Sequence, residues 1–229
     1  MLRFPQRIGA MTMKTDTQLQ QDVMDELKWE PSVHAAQIGV EVKDGVVTLA
    51  GEVSSYLEKW NAERAAQRVS GVQAMAVEMK VKLSELGERT DADIARSAES
   101  LLSWTSTLPA DAVKVMVEGG CLTLSGDVEW QYQKQDAAER VRFLPGVTGI
   151  NNEISIKPSL SPIVVKSDIE AALRRGAAAD AKTISVAVNG DEVTLTGTVR
   201  SWPERAVATS SAWGSPGVRN VVDKMALDY

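Results

Sequence analysis

One imidazole and one thiol limit the chemistry open to this chain of 229 residues: His34 and Cys121 have no companions of their kind. A serine or cysteine nucleophile would have to borrow His34, which sits in the stretch PSVHAA with no nucleophile elbow in the sequence. A disulfide framework needs at least two thiols and a Cys-based zinc site needs more, so both are excluded. No Gly-rich phosphate loop opens a helix, and no HExxH or EF-hand spacing occurs. No catalytic residue, metal or cofactor is therefore expected. The residue types that remain are suited to recognition. Arg174 and Arg175 close a helical pattern, and Arg200, Trp202 and Arg205 gather where a later strand meets a helix. Arginine binds phosphate bidentately, so four arginines around one indole would suit anionic headgroups. The plainer alternative is a solvated helix end, where arginine complements the dipole.

A second set is aromatic. Trp29, Tyr56, Trp104, Trp130 and Tyr132 fall near element ends in a chain that is only 5% aromatic. Such rings either finish small cores or form an amphipathic patch for a lipid interface or a protein partner. Composition narrows the partner. The net charge of −6 argues against a general nucleic-acid binder. No apolar run reaches about 18 residues, so no transmembrane segment is expected. The opening MLRFPQRIGAMTMKTD has no continuous apolar stretch and does not read as a secretory signal, which points to the cytoplasm.

These residues must be positioned by elements, and the elements recur. VTLAGEV at 47–53 returns as LTLSGDV at 122–128 and VTLTGTV at 193–199. The marker glycines Gly51, Gly126 and Gly197 are each followed 20 residues later by Gly71, Gly146 and Gly217, always before valine. The first two copies keep an offset of 75, and the third follows the second by 71 at its glycines. A period this long gives small domains rather than solenoid repeats. Residues 1–14 read as a tail, and 15–84, 88–157 and 163–229 as three domains. A short polar connector joins the first two. KPSLSP at 157–162 is stiffer and leaves the third unit freer. The third is neutral, whereas the first two carry −4 each.

Within a unit, Leu19, Val23 and Leu27 mark one helix face. Ile38, Val40 and Val42 alternate as a half-buried strand. Asp44-Gly45 signals a hairpin, and the repeated stretch is the returning strand. Gly51 stands among inward residues there, which predicts that a helix crosses close to the sheet. A second helix fills the gap to Gly71, Gly146 or Gly217, which serve as its stops, and a last strand follows. The fold class is α+β: three αββαβ units, each a three-stranded mixed sheet covered on one face by two helices. The loops before the first strand and after the second then share one end of each unit, the end carrying the aromatic set.

The order of elements, the pattern from Gly45 to Val53 and the terminal Gly-Val pair resemble the BON domain family, three times in tandem. The resemblance implies binding rather than catalysis, with links to phospholipid membranes, envelope integrity and osmotic stress. It also implies the periplasm as the alternative location, since many members are found there. The competing function is a cytoplasmic multivalent adaptor for a protein partner, in which linked units add avidity.

Overall fold

The computed structural model describes residues 14–84, 87, 89–157, 166–175, 183–215 and 217–227, except for the Arg174 side chain. Its first unit runs α1 (Asp16–Trp29), β1 (Ile38–Lys43), β2 (Val46–Val53), α2 (Tyr56–Arg68) and β3 (Ala74–Val81). Thr15 opens α1 through a capping box with Gln18, which satisfies two otherwise orphaned N–H groups. Ser55 caps α2. The strand order is β1-β2-β3, with β1 antiparallel and β3 parallel to the central β2. A parallel pair cannot be joined by a hairpin, so α2 serves as the crossover.

The second unit repeats this order with α3 (Asp91–Ser103), β4 (Val113–Glu118), β5 (Cys121–Val128) and α4 (Gln131–Val141). Its last strand is split into β6 (Gly149–Asn152) and β7 (Ser155–Ile156). The Asn152 side chain accepts from the Ile154 N–H, giving the backbone a local partner in place of the ladder. The third unit has α5 (Lys166–Arg175), β8 (Ile184–Asn189), β9 (Glu192–Val199), α6 (Trp202–Trp213) and β10 (Asn220–Leu227). The fold is therefore α+β, with one three-stranded mixed sheet in each αββαβ unit.

Each unit has its own core. In the first, Leu19, Val23 and Leu27 of α1 meet Val47, Leu49 and Val53 of β2, and Ala62, Ala65 and Ala66 bring α2 close to the sheet. The equivalents Ile94, Leu122, Leu124 and Ala137 fill the second, and Ile169, Leu195 and Ala208 the third. A buried side chain of this kind contributes about 1.5–3 kcal/mol.

The strand glycines have a different reason from the one the sequence suggests. No α-helix presses on them. A Cβ on Gly51 would lie 2.2 Å from the backbone oxygen of Gln37, and on Gly126 and Gly197 2.0 and 1.9 Å from those of Ala112 and Thr183. The crowding group is the carbonyl just before the neighbouring strand. All three also hold φ between 122 and 136°, where an L side chain is strained. Gly71, Gly146 and Gly217 differ from expectation as well. Their helices end before them, at Arg68, Val141 and Trp213. With φ of 105, 91 and 86° they turn the chain towards its last strand.

An acidic clamp ties the hairpin to the first helix. Asp16 accepts from the Asp44 and Gly45 N–H groups at 2.8 and 3.0 Å. Asp91 does the same for Gly119 and Gly120, at 2.9 Å each. The equivalent position in the third unit is Lys166, which has no acceptor to offer.

Candidate functional site

At the loop end of each unit, one side chain near the start of the second helix turns inward. Glu58, Gln133 and Glu204 occupy this place and are all buried. In the first unit, one Glu58 oxygen accepts from the His34 N–H and contacts His34 Nδ1, both at 2.8 Å. The other accepts from the Ser54 N–H and Oγ–H at 2.8 and 2.7 Å. Burial alone raises the carboxyl pKa, but these hydrogen bonds outweigh it and hold it at about 2. In the second unit the facing loop presents a carbonyl instead. Gln133 fits that change: Oε1 accepts from the Glu129 and Trp130 N–H groups, and Nε2 donates to the Thr107 oxygen at 2.8 Å. Glu204 accepts from the Arg200 N–H. His34 is thus an exposed ring tied to a structural carboxylate.

The knot holds the two loops together and so positions the aromatic set. Trp29 ends α1 and is 82% exposed; Trp104, its equivalent, is the C-cap of α3 and is 87% exposed. Trp130 is the N-cap of α4 and half-buried, and Tyr132 follows it, largely exposed. Tyr56 and Trp202 open α2 and α6, and both reach into neighbouring units. Tyr56 packs against the core of the second unit and hydrogen-bonds the backbone of Ile150. Burial pushes its phenol above the usual range. Trp202 packs against the core of the first unit, and its Nε1–H donates to the Val72 oxygen at 2.9 Å.

Trp202 therefore ties the third unit to the first, and that unit is not free as the sequence suggests. Trp60 belongs to the same contacts rather than to one core. Arg142 of the second unit lies 3.7 Å from its ring centroid and Arg64 lies 4.7 Å away. Trp213 packs on the core of its own unit. A cavity of about 700 Å³ opens among α2, α4 and α6, walled by Trp60, Gln67, Gln131, Gln135, Trp202 and Trp213.

The arginines part company. Arg205 is half-buried, pairs with Asp223 at 2.6 Å and lies 5.4 Å from the Trp202 ring centroid. Arg200 is exposed at the end of the preceding strand, and Arg175 is exposed at the end of α5. The Arg174 side chain lies outside the described residues. The structure thus brings Trp202 and Arg205 together, and both already have partners within the chain.

The family is decided by comparison of the whole chain. BON domain matches cover residues 15–82, 90–158 and 164–229. The chain belongs to the BON domain family. Among curated proteins, a similar one is osmotically-inducible protein Y of Escherichia coli (strain K12), 28% identical over 130 residues. That alignment spans 55% of this chain and 65% of the relative, so just under two thirds of the relative is matched. Two solved structures are matched at low TM-score. One is CdsD, a structural protein of the Type III secretion system of Chlamydia trachomatis, with 16% identity, 91% of both chains covered and a TM-score of 0.25. The other is the periplasmic domain of the inner membrane protein PrgH from S. typhimurium. It shows 13% identity, 85% and 95% coverage and a TM-score of 0.23.

Across the three BON units, no group of His, Cys, Asp and Glu among the described residues could hold a metal ion. No helix among them is long and apolar enough to cross a membrane.

Proposed function

We propose that this chain is a non-enzymatic binding protein of the osmotic or envelope stress response, and that it meets a phospholipid surface through Trp29 and Trp104. The observation that carries the reading is their exposure, 82% and 87%, at equivalent places in two units. An indole is amphipathic and favours the headgroup level of a bilayer. The similarity to an osmotically inducible protein supports the stress link. Arg175 and Arg200 are exposed and would add electrostatic attraction to anionic lipid.

Flotation with phosphatidylcholine–phosphatidylglycerol vesicles tests the reading. The full chain should float and its tryptophan emission should shift to the blue. Trp29→Ala with Trp104→Ala should abolish both effects. A double variant that floats like the parent sinks the proposal.

One observation favours a second reading, a multivalent adaptor for a protein partner. Arg205 is engaged by Asp223 and Trp202 by the first unit, so the third unit offers less of the predicted headgroup cluster. Salt separates the readings: arginine-driven lipid binding weakens as salt rises, whereas an apolar protein contact changes little.

A further inference from the structure

The last strand of each unit lies at a free edge of its sheet: β3, the split pair β6 and β7, and β10. Just past β3 the Lys82 N–H donates to the Val53 oxygen at 2.8 Å, and Val53 stands opposite Val81. That phase turns the N–H and C=O groups of Val77, Met79 and Val81 away from β2. Outward groups of this kind are a template for another strand. The second and third units each block one of them with a side chain. Asn152 Oδ1 accepts from the Ile154 N–H at 3.3 Å where the strand splits, and Asp223 Oδ1 accepts from the Met225 N–H at 3.0 Å. The offsets of 75 and 71 make Val77 their equivalent, and valine has no side-chain acceptor. Among the described residues no side chain takes the Met79 N–H. β3 runs unbroken from Ala74 to Val81 and packs chiefly against β2 and α2.

We propose that β3 pairs with β3 of a second copy of this chain, antiparallel and about a two-fold axis at Met79. The outward groups fix the phase: Met79 faces its own counterpart and Val77 faces the other copy's Val81, each pair exchanging both main-chain bonds. The same register sets Glu78 of each copy opposite Lys80 of the other, and both side chains are exposed. Opposite charges directly across a ladder attract, and like charges there repel. Neither Glu78 nor Lys80 has an ion partner of its own among the described residues. The strand therefore complements a second copy of itself twice over. The other units cannot repeat this, because they carry Glu153 with Ser155 and Lys224 with Ala226 at the same places. A two-fold contact is closed, so assembly stops at a dimer and does not run on into a fibre. The inference does not depend on Trp29 or Trp104.

Sedimentation equilibrium of the full chain tests it. The parent should show a monomer–dimer equilibrium below about 1 mM. Lys80→Glu sets two like-charge pairs across the axis and should weaken the dimer at least about tenfold, as should Glu78→Lys. The two single variants, mixed, should associate with each other, and a chain carrying both changes should dimerise like the parent. Hydrogen exchange at the Met79 amide should slow as concentration rises, which a dimer through another surface would not give. A chain that stays monomeric, its edge guarded by its own charges or kept for a different polypeptide, overturns the proposal. So does a dimer indifferent to Lys80→Glu, a mixture of the single variants that fails to associate, or a dimer that leaves the Met79 amide unprotected.

Discussion

Glu58 shows how one carboxylate can hold two loops. Its ordinary pKa of 4.5 falls to about 2 because two N–H groups, a hydroxyl and the His34 ring all face the ionised form. A lowered folded-state value means that the stabilisation is complete above pH 4.5 and drains away as pH falls towards 2. Glu58→Gln turns an NH₂ group against donors, so it should cost about 3 kcal/mol at neutral pH. The difference from the parent should shrink steadily below pH 4.5. Thermal unfolding followed against pH checks this; a penalty independent of pH would show that the charge is irrelevant. The Glu, Gln, Glu series at 58, 133 and 204 obeys the offsets of 75 and 71, so it was legible. Its burial was not, because a polar residue in a first turn looks solvated unless its partners across the fold are known. The Asp16 clamp was hidden for the same reason: its N–H partners lie 28 and 29 residues away.

At the scale of elements, sequence periodicity carried most of the information. The apolar spacing of α1 and the alternation of β1 were legible because burial on one face imposes them directly. The strand glycines were legible as close approaches, but the approaching group was not. A carbonyl contributes no side-chain pattern, so the eye supplies a helix. This yields a paired prediction. Gly126→Ala adds a Cβ against the Ala112 oxygen at a φ of 128°, and should cost about 2–4 kcal/mol. Gly39→Ala, in β1, places its Cβ at an ordinary 3.6 Å from the Ala50 oxygen and should change stability by no more than about 0.5 kcal/mol. Urea unfolding of the two variants side by side decides it; equal effects would remove the steric argument.

For the whole molecule, the repeats announced three units, and the places where they disagree announced where to look. Tyr56, Gln131 and Trp202 are unlike residues at one position of the repeat. That they face neighbouring units was not legible, because the pairing of surfaces depends on how units are arranged, which no local pattern encodes. Trp202 is the clearest case: its hydrogen-bond partner is 130 residues away. Trp202→Ala should remove the packing against the first core and leave the Val72 carbonyl without its indole donor, at a cost of about 3 kcal/mol or more. The third unit should then melt separately, and small-angle scattering should report a larger radius of gyration. Unchanged scattering and a single unchanged transition would mean that the indole contributes little to the docking.

The joining of three similar units within one polypeptide through Tyr56 and Trp202 has a further consequence. A trimer assembled from separate identical subunits must use the same residue at every junction, and it falls apart on dilution. Here the linkers hold the neighbours at high effective concentration, so assembly is independent of how much protein is present. Each junction is also encoded by its own codons. The place held by Tyr56 and Trp202 in two units is held by Gln131 in the remaining one, a difference that a trimer of identical subunits could not carry.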